Sequence, residues 1–181
     1  EIVYWDVAVD LKNNKILNKV ECSHCGSQLE KKNLERAWET KFDKYLNETL
    51  KFAKQVPVYI YYSVGKKRFV KSVDESDVEL LETIDNKDFI EWFPIDRMPE
   101  GDESRRNDRM GFTHVHHFYT KRNLQTLASF VKHSKGSKFF GHLLFFFQAS
   151  INRATKTNRF RFGGTGGLSG TLYIPSLIIE R

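Results

Sequence analysis

The sequence predicts an α+β chain, and three stretches carry that reading. Residues 56–64, VPVYIYYSV, are β-branched and aromatic, and a Gly-Lys-Lys turn returns them through residues 68–72 as a hairpin. Leu124, Leu127, Ala128 and Val131 fall at i, i+3, i+4 and i+7, the spacing of one buried helical face. The N-terminal stretch alternates, turns at Asp10-Leu-Lys-Asn-Asn14 and resumes before a Cys-x-x-Cys-Gly motif.

In chain order, residues 2–9 read as a strand, residues 10–14 as its turn and residues 16–21 as the return. This hairpin leads to Cys22 and Cys25, with Gly26 behind them. Two thiolates two residues apart at a hairpin tip can share one tetrahedral zinc ion, and glycine lets the backbone fold beneath it. A ribbon needs two such knuckles, so the sequence supplies half a zinc ribbon, with the other pair expected upstream. A redox pair and two ordinary thiols are the alternatives.

Residues 31–39 and 42–54 read as two helices, the second amphipathic through Tyr45, Leu46, Leu50 and Ala53. Beyond the central hairpin, Asp74 caps a helix whose Val78, Leu80, Leu81 and Ile84 face inward. Pro94, Pro99, Gly101 and Gly111 then punctuate a polar stretch too strongly for a long helix or central strand before Thr113. Thr120 is an N-cap for the helix over residues 121–133. Residues 139–151, FFGHLLFFFQASI, are apolar nearly all round and read as a buried helix. The Gly-rich residues 163–170 read as a flexible loop rather than a phosphate loop, since no Lys-Ser/Thr and no helix follow. Residues 171–179 finish as a strand. The expected segments are residues 1–30, the half-ribbon hairpin; 31–93, an α+β segment; 94–112, a polar basic loop; and 113–181, helices with a basic stretch and terminal strand.

The charge is uneven. The chain carries +6 overall, yet residues 1–96 hold 15 Lys/Arg against 18 Asp/Glu and residues 97–161 hold 13 against 4. Cations gathered in one segment are a footprint for a polyanion, and DNA is the favoured partner. The candidate contacts are Arg97, Arg105, Arg106 and Arg109 in the loop, Lys121 and Arg122 at the helix start, and Arg153, Lys156, Arg159 and Arg161 in NRATKTNRFRF, where Phe160 and Phe162 interleave. A solvated basic face is the competing reading. His114, His116 and His117 could serve as ligands or a base. With no acidic residue or cysteine at ligand spacing, they read instead as polar anchors for the following helix. No apolar run reaches the roughly 20 residues of a membrane span. Two cysteines alone suit a reducing compartment, the cytoplasm.

The runs ERAWETKFD, QVPVYIYYSVGKKRF, WFPIDRMPEGDESRRNDRMGFTHVHHFYTKRNL and SGTLYIPS together resemble prokaryotic adenine-specific DNA methylases that carry a zinc ribbon. The resemblance spans nearly the whole chain and is most specific at residues 96–107 and 113–124. It implies an internal segment of an S-adenosylmethionine-dependent transferase that methylates the N6 amino group of adenine, within restriction–modification or a related defence. Such enzymes flip the target base out of the duplex. The family's Phe-x-Gly-x-Gly cofactor loop and its Asp/Asn-Pro-Pro-Tyr/Phe tetrapeptide have no counterpart here. The resemblance therefore implies a piece that completes the parent fold and touches DNA, works with the remainder of the parent chain and is inactive alone. No catalytic or cofactor-binding residue maps onto it.

Overall fold

The computed structural model describes residues 2–88, 90–162, 167–168 and 173–180. The chain is α+β, built from helices and small antiparallel strand pairs. In order these are α1 (Tyr4–Ala8), β1 (Val9–Asp10), β2 (Lys15–Ile16), β3 (Lys19–Glu21), β4 (Gln28–Glu30), β5 (Trp38–Asp43), β6 (Glu48–Ala53), β7 (Tyr59–Val64), β8 (Lys67–Ser72), α2 (Glu75–Asn86), α3 (Asp102–Asp108), α4 (Lys121–Ser134), α5 (Phe140–Ile151), β9 (Asn158–Arg159) and β10 (Gly167–Leu168). Each strand pairs within its own two-stranded sheet, β1 with β2, β3 with β4, β5 with β6, β7 with β8 and β9 with β10. The chain divides into two compact units, Glu1–Glu39 with Ala53–Thr83, and Thr40–Phe52 with Ile84–Arg181.

The first unit is a set of short hairpins. Residues 2–9 are not the expected strand: five of them wind into α1, and the Tyr4 hydroxyl donates to the carbonyls of Leu17 and Asn18 at 3.3 and 3.2 Å. The turn after β1 is as expected, with Asp10 Oδ1 accepting from the amides of Lys12 and Asn13 and Asn14 taking φ 53°. Ala8, Val9, Val20 and Ala53 are the unit's buried apolar residues. The expected helix over residues 31–39 is a single 3₁₀ turn, Lys31–Asn33, after which the chain extends into β5.

The helix expected over residues 42–54 is a hairpin instead. Asp43 Oδ1 accepts from the amides of Tyr45 and Leu46 at 3.0 and 3.3 Å, and Asn47 adopts φ 55°. A side chain that captures the following amides competes directly with helical bonding, so the local turn beats the apolar spacing. The central hairpin and α2 form as expected, with Asp74 Oδ1 accepting from the Asp77 amide at 3.1 Å. The inward face of α2 is only partly realised: Leu81 and Ile84 are half-buried, whereas Val78 and Leu80 are exposed.

The second unit holds two small cores. Phe93, Leu124 and Ala128 pack with Tyr45 and Tyr119. Phe112, Phe118 and Ile174 pack with Phe52, Met98, Met110 and Ile178. The polar stretch is closed at its base by Met98 N to Thr113 O and Val115 N to Asp96 O, both 2.9 Å. It holds no long helix, but it is not loop throughout: seven residues form the short helix α3. Asp102 and Glu103 sit in its first turn, Ser104 donates to the Pro99 carbonyl at 2.5 Å, and Glu103 pairs with Arg106 at 3.2 Å. Acid at the start of a helix and base one turn later follow the helix dipole, and that local bias outweighs the flanking glycines. Gly111 has φ 87°, and a Cβ there would lie 2.2 Å from the Lys51 carbonyl oxygen.

α4 begins at its Thr120 cap as expected. α5 forms, but it is not buried: Phe139, Phe145 and Phe146 are exposed, while Phe147 stacks on Phe130 of α4 at 5.6 Å. The expected strand over residues 171–179 is a single bridge, Ile178 opposite Arg159, flanked by Phe160 N to Leu177 O and Ile179 N to Asn158 O. Pro175 removes a ladder donor there. Residues 171–172, and 163–166 and 169–170 of the Gly-rich loop, lie outside the described residues. No helix of the described residues is long and apolar enough to cross a membrane.

Candidate functional site

The second unit brings together two basic stretches that lie some fifty residues apart in the sequence. Asn107, 2% exposed, accepts the Ile174 amide on its Oδ1 at 2.9 Å and so fixes α3 against the C-terminal segment. Tyr173 is thereby set between the two stretches. The Arg106 guanidinium lies 4.0 Å above the Tyr173 ring, and Arg159 donates to the Tyr173 hydroxyl. A guanidinium over an aromatic face is held by the ring quadrupole and can still bond through its edge N–H groups, one of which on Arg106 meets Glu103 at 3.2 Å. Lys156 sits 5.1 Å from the Phe112 ring. Arg109, Arg153 and Arg161 are exposed and have no ion-pair partner among the described residues.

The other candidate cations are engaged internally. Arg97 pairs with Asp108 at 2.9 Å and donates to the Met98 carbonyl at 3.2 Å. Arg105 lies 3.5 Å from Glu100. Arg122 grips Glu180 through two bonds of 2.7 and 2.6 Å, and the Thr120 hydroxyl donates to the same carboxylate. Lys121 donates to the Asp85 carbonyl, and burial, with Lys44 nearby, pulls its pKa down. Exposed pairs of the Arg97 and Arg105 kind contribute about 0–1 kcal/mol, so a phosphate could replace the carboxylate at little cost. The forked Arg122–Glu180 pair is a tether for the C-terminal segment.

No family of proteins, no curated protein and no solved structure matches this chain.

A second polar cluster lies in the same unit, where the sequence offers no partner for the histidines. A 3₁₀ turn, Val115–Phe118, swings two consecutive rings onto one acceptor: Nε2 of His116 and of His117 lie 2.8 and 2.9 Å from Asp43 Oδ2. Adjacent side chains point different ways in a regular helix or strand, but here 3₁₀ winding and the β5–β6 turn bring both rings to one carboxylate. All three side chains are at most 7% exposed. Two imidazoles and a carboxylate within 4.8 Å are a plausible ligand set by composition. The proton positions oppose it. His117 Nδ1 accepts from the amides of Thr113 and His114 at 3.1 and 3.2 Å, so the proton of the neutral ring sits on Nε2, where a metal would need the lone pair. The cluster is a buried hydrogen-bonded lock, and the reading of the histidines as polar anchors fits this geometry.

Burial acts first to raise the Asp43 carboxyl, but the hydrogen bonds from His117 and His116, the nearby imidazole charge and the Tyr45 amide hold it at about 2. Burial lowers His117 to about 4 against the pull of Asp43, and lowers His114 together with the charges of His116 and Arg97.

In the first unit, Cys22 and Cys25 sit on the β3–β4 tip as expected. Gly26 takes φ 70° and donates its amide to the Cys22 carbonyl at 2.9 Å. The Ser27 hydroxyl, 3.0 Å from Cys25 Sγ, is the first cause of a lowered Cys25 thiol pKa. Thiolate is the form that binds zinc, so the pair fits half of a tetrahedral set. Among the described residues no further His, Cys, Asp or Glu group completes it. Tyr173, Asn107 and Asp43 are the residues that sequence reasoning misses. Each is a single polar residue that no local pattern marks, and only the fold gives it a partner.

Proposed function

We propose that this chain is a DNA-contacting segment of an S-adenosylmethionine-dependent adenine-N6 DNA methyltransferase, and that its second unit meets the phosphate backbone. The observation that supports contact is the convergence of Arg106 and Arg159 on Tyr173, which joins the basic stretch around α3 to that of residues 153–161. Arg109, Arg153 and Arg161 add exposed cations to those two stretches. The transferase assignment rests on the sequence resemblance. The catalytic and cofactor motifs lie with the remainder of the parent chain, and zinc would bind at Cys22 and Cys25 once a second thiol pair joins them. A non-catalytic nucleic-acid module is the second reading, favoured by the absence of both motifs from the 181 residues.

A salt titration of duplex binding tests the contact. Each phosphate neutralised adds roughly 0.9 to the magnitude of the log–log salt slope. The Arg153→Ala, Lys156→Ala, Arg159→Ala, Arg161→Ala variant should bind all sequences more weakly and with a flatter slope. Coincident slopes for variant and parent would reduce the basic stretch to a solvated face. Calorimetry with S-adenosylmethionine should give no binding to this chain, and micromolar binding would place a cofactor site on residues assigned none here.

A further inference from the structure

The first unit, whose sequence region has no cationic excess, carries a feature that the reading above leaves unused. The β7–β8 hairpin has six residues per strand, about 20 Å of ribbon. It is tied down at its base, where the Tyr59 hydroxyl donates to the Asp6 carbonyl at 3.2 Å and the Val73 amide to the Val58 carbonyl at 3.1 Å. Past that base every residue from 61 to 70 is exposed. Its hydrophobic side chains are exposed too: Tyr61 46%, Tyr62 44%, Val64 64% and Phe69 42%. An isolated two-stranded ribbon is marginally stable in water, and one that presents aromatic side chains on both faces is built to meet another surface.

The charge of the ribbon says which surface. Residues 59–72 contain Lys66, Lys67, Arg68 and Lys71 and no acid. Lys71 is held by Asp74 and Asp77 at 3.0 and 2.7 Å, which leaves Lys66, Lys67 and Arg68 as an unopposed cationic tip among the described residues. The turn is a two-residue Gly65-Lys66 connection with Gly65 at φ 60°, which keeps the strands in register to the end, Val64 opposite Lys67 and Ser63 opposite Arg68. Successive side chains leave opposite faces of a strand. Lys67 therefore shares one face with Tyr62 and Phe69, whose rings stack at 5.4 Å, and Arg68 shares the other with Tyr61 and Val70.

We propose that the β7–β8 hairpin is a DNA-binding arm that enters a groove of duplex DNA, with Lys66, Lys67 and Arg68 on the phosphates and the Tyr62–Phe69 pair behind them on the sugar and base edges. A major groove about 12 Å wide admits a two-stranded ribbon. A groove is walled by phosphates on both sides, which matches cations leaving both faces of one tip. A protein strand adding to the ribbon edge would use its backbone groups and would gain nothing from an acid-free tip. The arm goes beyond the Arg106–Arg159 interface and uses none of its residues.

The test is fluorescence anisotropy of a labelled 20-base-pair duplex between 50 and 200 mM salt. It compares the parent, the Lys66→Ala, Lys67→Ala, Arg68→Ala variant, and a charge-keeping Lys66→Arg, Lys67→Arg, Arg68→Lys variant. All three positions are exposed, so circular dichroism should be unchanged. The alanine variant should flatten the salt slope by roughly 0.9 for each phosphate it no longer neutralises, and the charge-keeping variant should keep the parent slope. Coincident slopes for the parent and the alanine variant overturn the arm, as does zinc-independent dimerisation that requires the hairpin and blocks DNA. The variant at residues 153, 156, 159 and 161 separates the two readings. If it alone loses slope, the second-unit interface stands and the arm falls; if only the tip variant loses slope, the arm stands and that interface falls.

Discussion

His117 donates from Nε2 to Asp43 Oδ2 at 2.9 Å while its Nδ1 accepts two backbone amides, so both ring nitrogens are committed in the neutral form. Protonation at Nδ1 would set a new N–H against two N–H donors in a buried place. Burial is the main cause that holds His117 near 4 rather than at 6.5, with the charges of His116 and His114 adding to it against the pull of Asp43. The unfolded chain, with its histidine at the ordinary value, takes up the proton first. Stability linked to His117 is thus complete above about pH 6.5 and is lost as pH falls towards 4. Asp43, held at about 2, adds a second loss as pH falls from about 4 towards 2. The urea midpoint should fall between pH 7 and pH 4, with a drop of a few kcal/mol, and a His117→Phe variant should show a shallower dependence over the same window. An unchanged midpoint across that range would contradict the lock.

The same lock predicts the effect of removing its acceptor. Asp43→Ala strands two buried imidazole N–H groups and frees the amides of Tyr45 and Leu46 that shape the β5–β6 turn. Each stranded buried donor costs about 1–3 kcal/mol. Chemical denaturation should register a loss of at least about 3 kcal/mol, and added zinc or nickel should not stabilise the parent through this cluster. Stabilisation by metal that Asp43→Ala abolishes would restore the ligand reading.

The contrast between what the sequence makes legible and what it hides follows from range. The β7–β8 hairpin, α2, α4 and the Cys22–Cys25 tip are specified by residues within a turn or two of each other, so spacing and caps are enough. The β5–β6 hairpin reads as a helix because Tyr45, Leu46, Leu50 and Ala53 fit helical spacing, while the deciding signals, Asp43 and Asn47, are single polar residues. α5 reads as buried because its composition is apolar, but composition carries no information on which neighbour is present. The lock at Asp43 and the Arg106–Tyr173 contact join residues more than 60 apart, which no local pattern reports.

Asn107 links stability to DNA contact. Its Oδ1 holds the Ile174 amide, and Tyr173, the adjacent residue, is the platform for Arg106 and Arg159. Asn107→Ala should cost about 1–3 kcal/mol for the stranded amide. It should also weaken duplex binding beyond what that loss of stability explains at 25 °C, since the two cations lose their shared support. A variant that is destabilised yet binds DNA with the parent's affinity would separate Tyr173 from the interface.

Gly111 gives the sharpest local test, because two independent constraints meet there. Its φ of 87° lies in the region L side chains rarely adopt, and an added Cβ would fall 2.2 Å from the Lys51 carbonyl oxygen and 3.0 Å from the Phe52 Cα. The obstacles are backbone atoms of β6, so no side-chain rotation relieves them. Strained backbone of this kind costs about 1–3 kcal/mol before the clash is counted. Gly111→Ala must therefore push the 110–112 segment away from β6 and with it Phe112, which packs on Phe52 at 5.9 Å and on Phe118 and Ile174. Gly101 is the internal control: it has open space around its Cα, and its alanine variant should unfold close to the parent's midpoint. Thermal denaturation of the two variants side by side decides the matter. Equal, small losses would mean that the segment yields freely and that packing against β6 does not hold it.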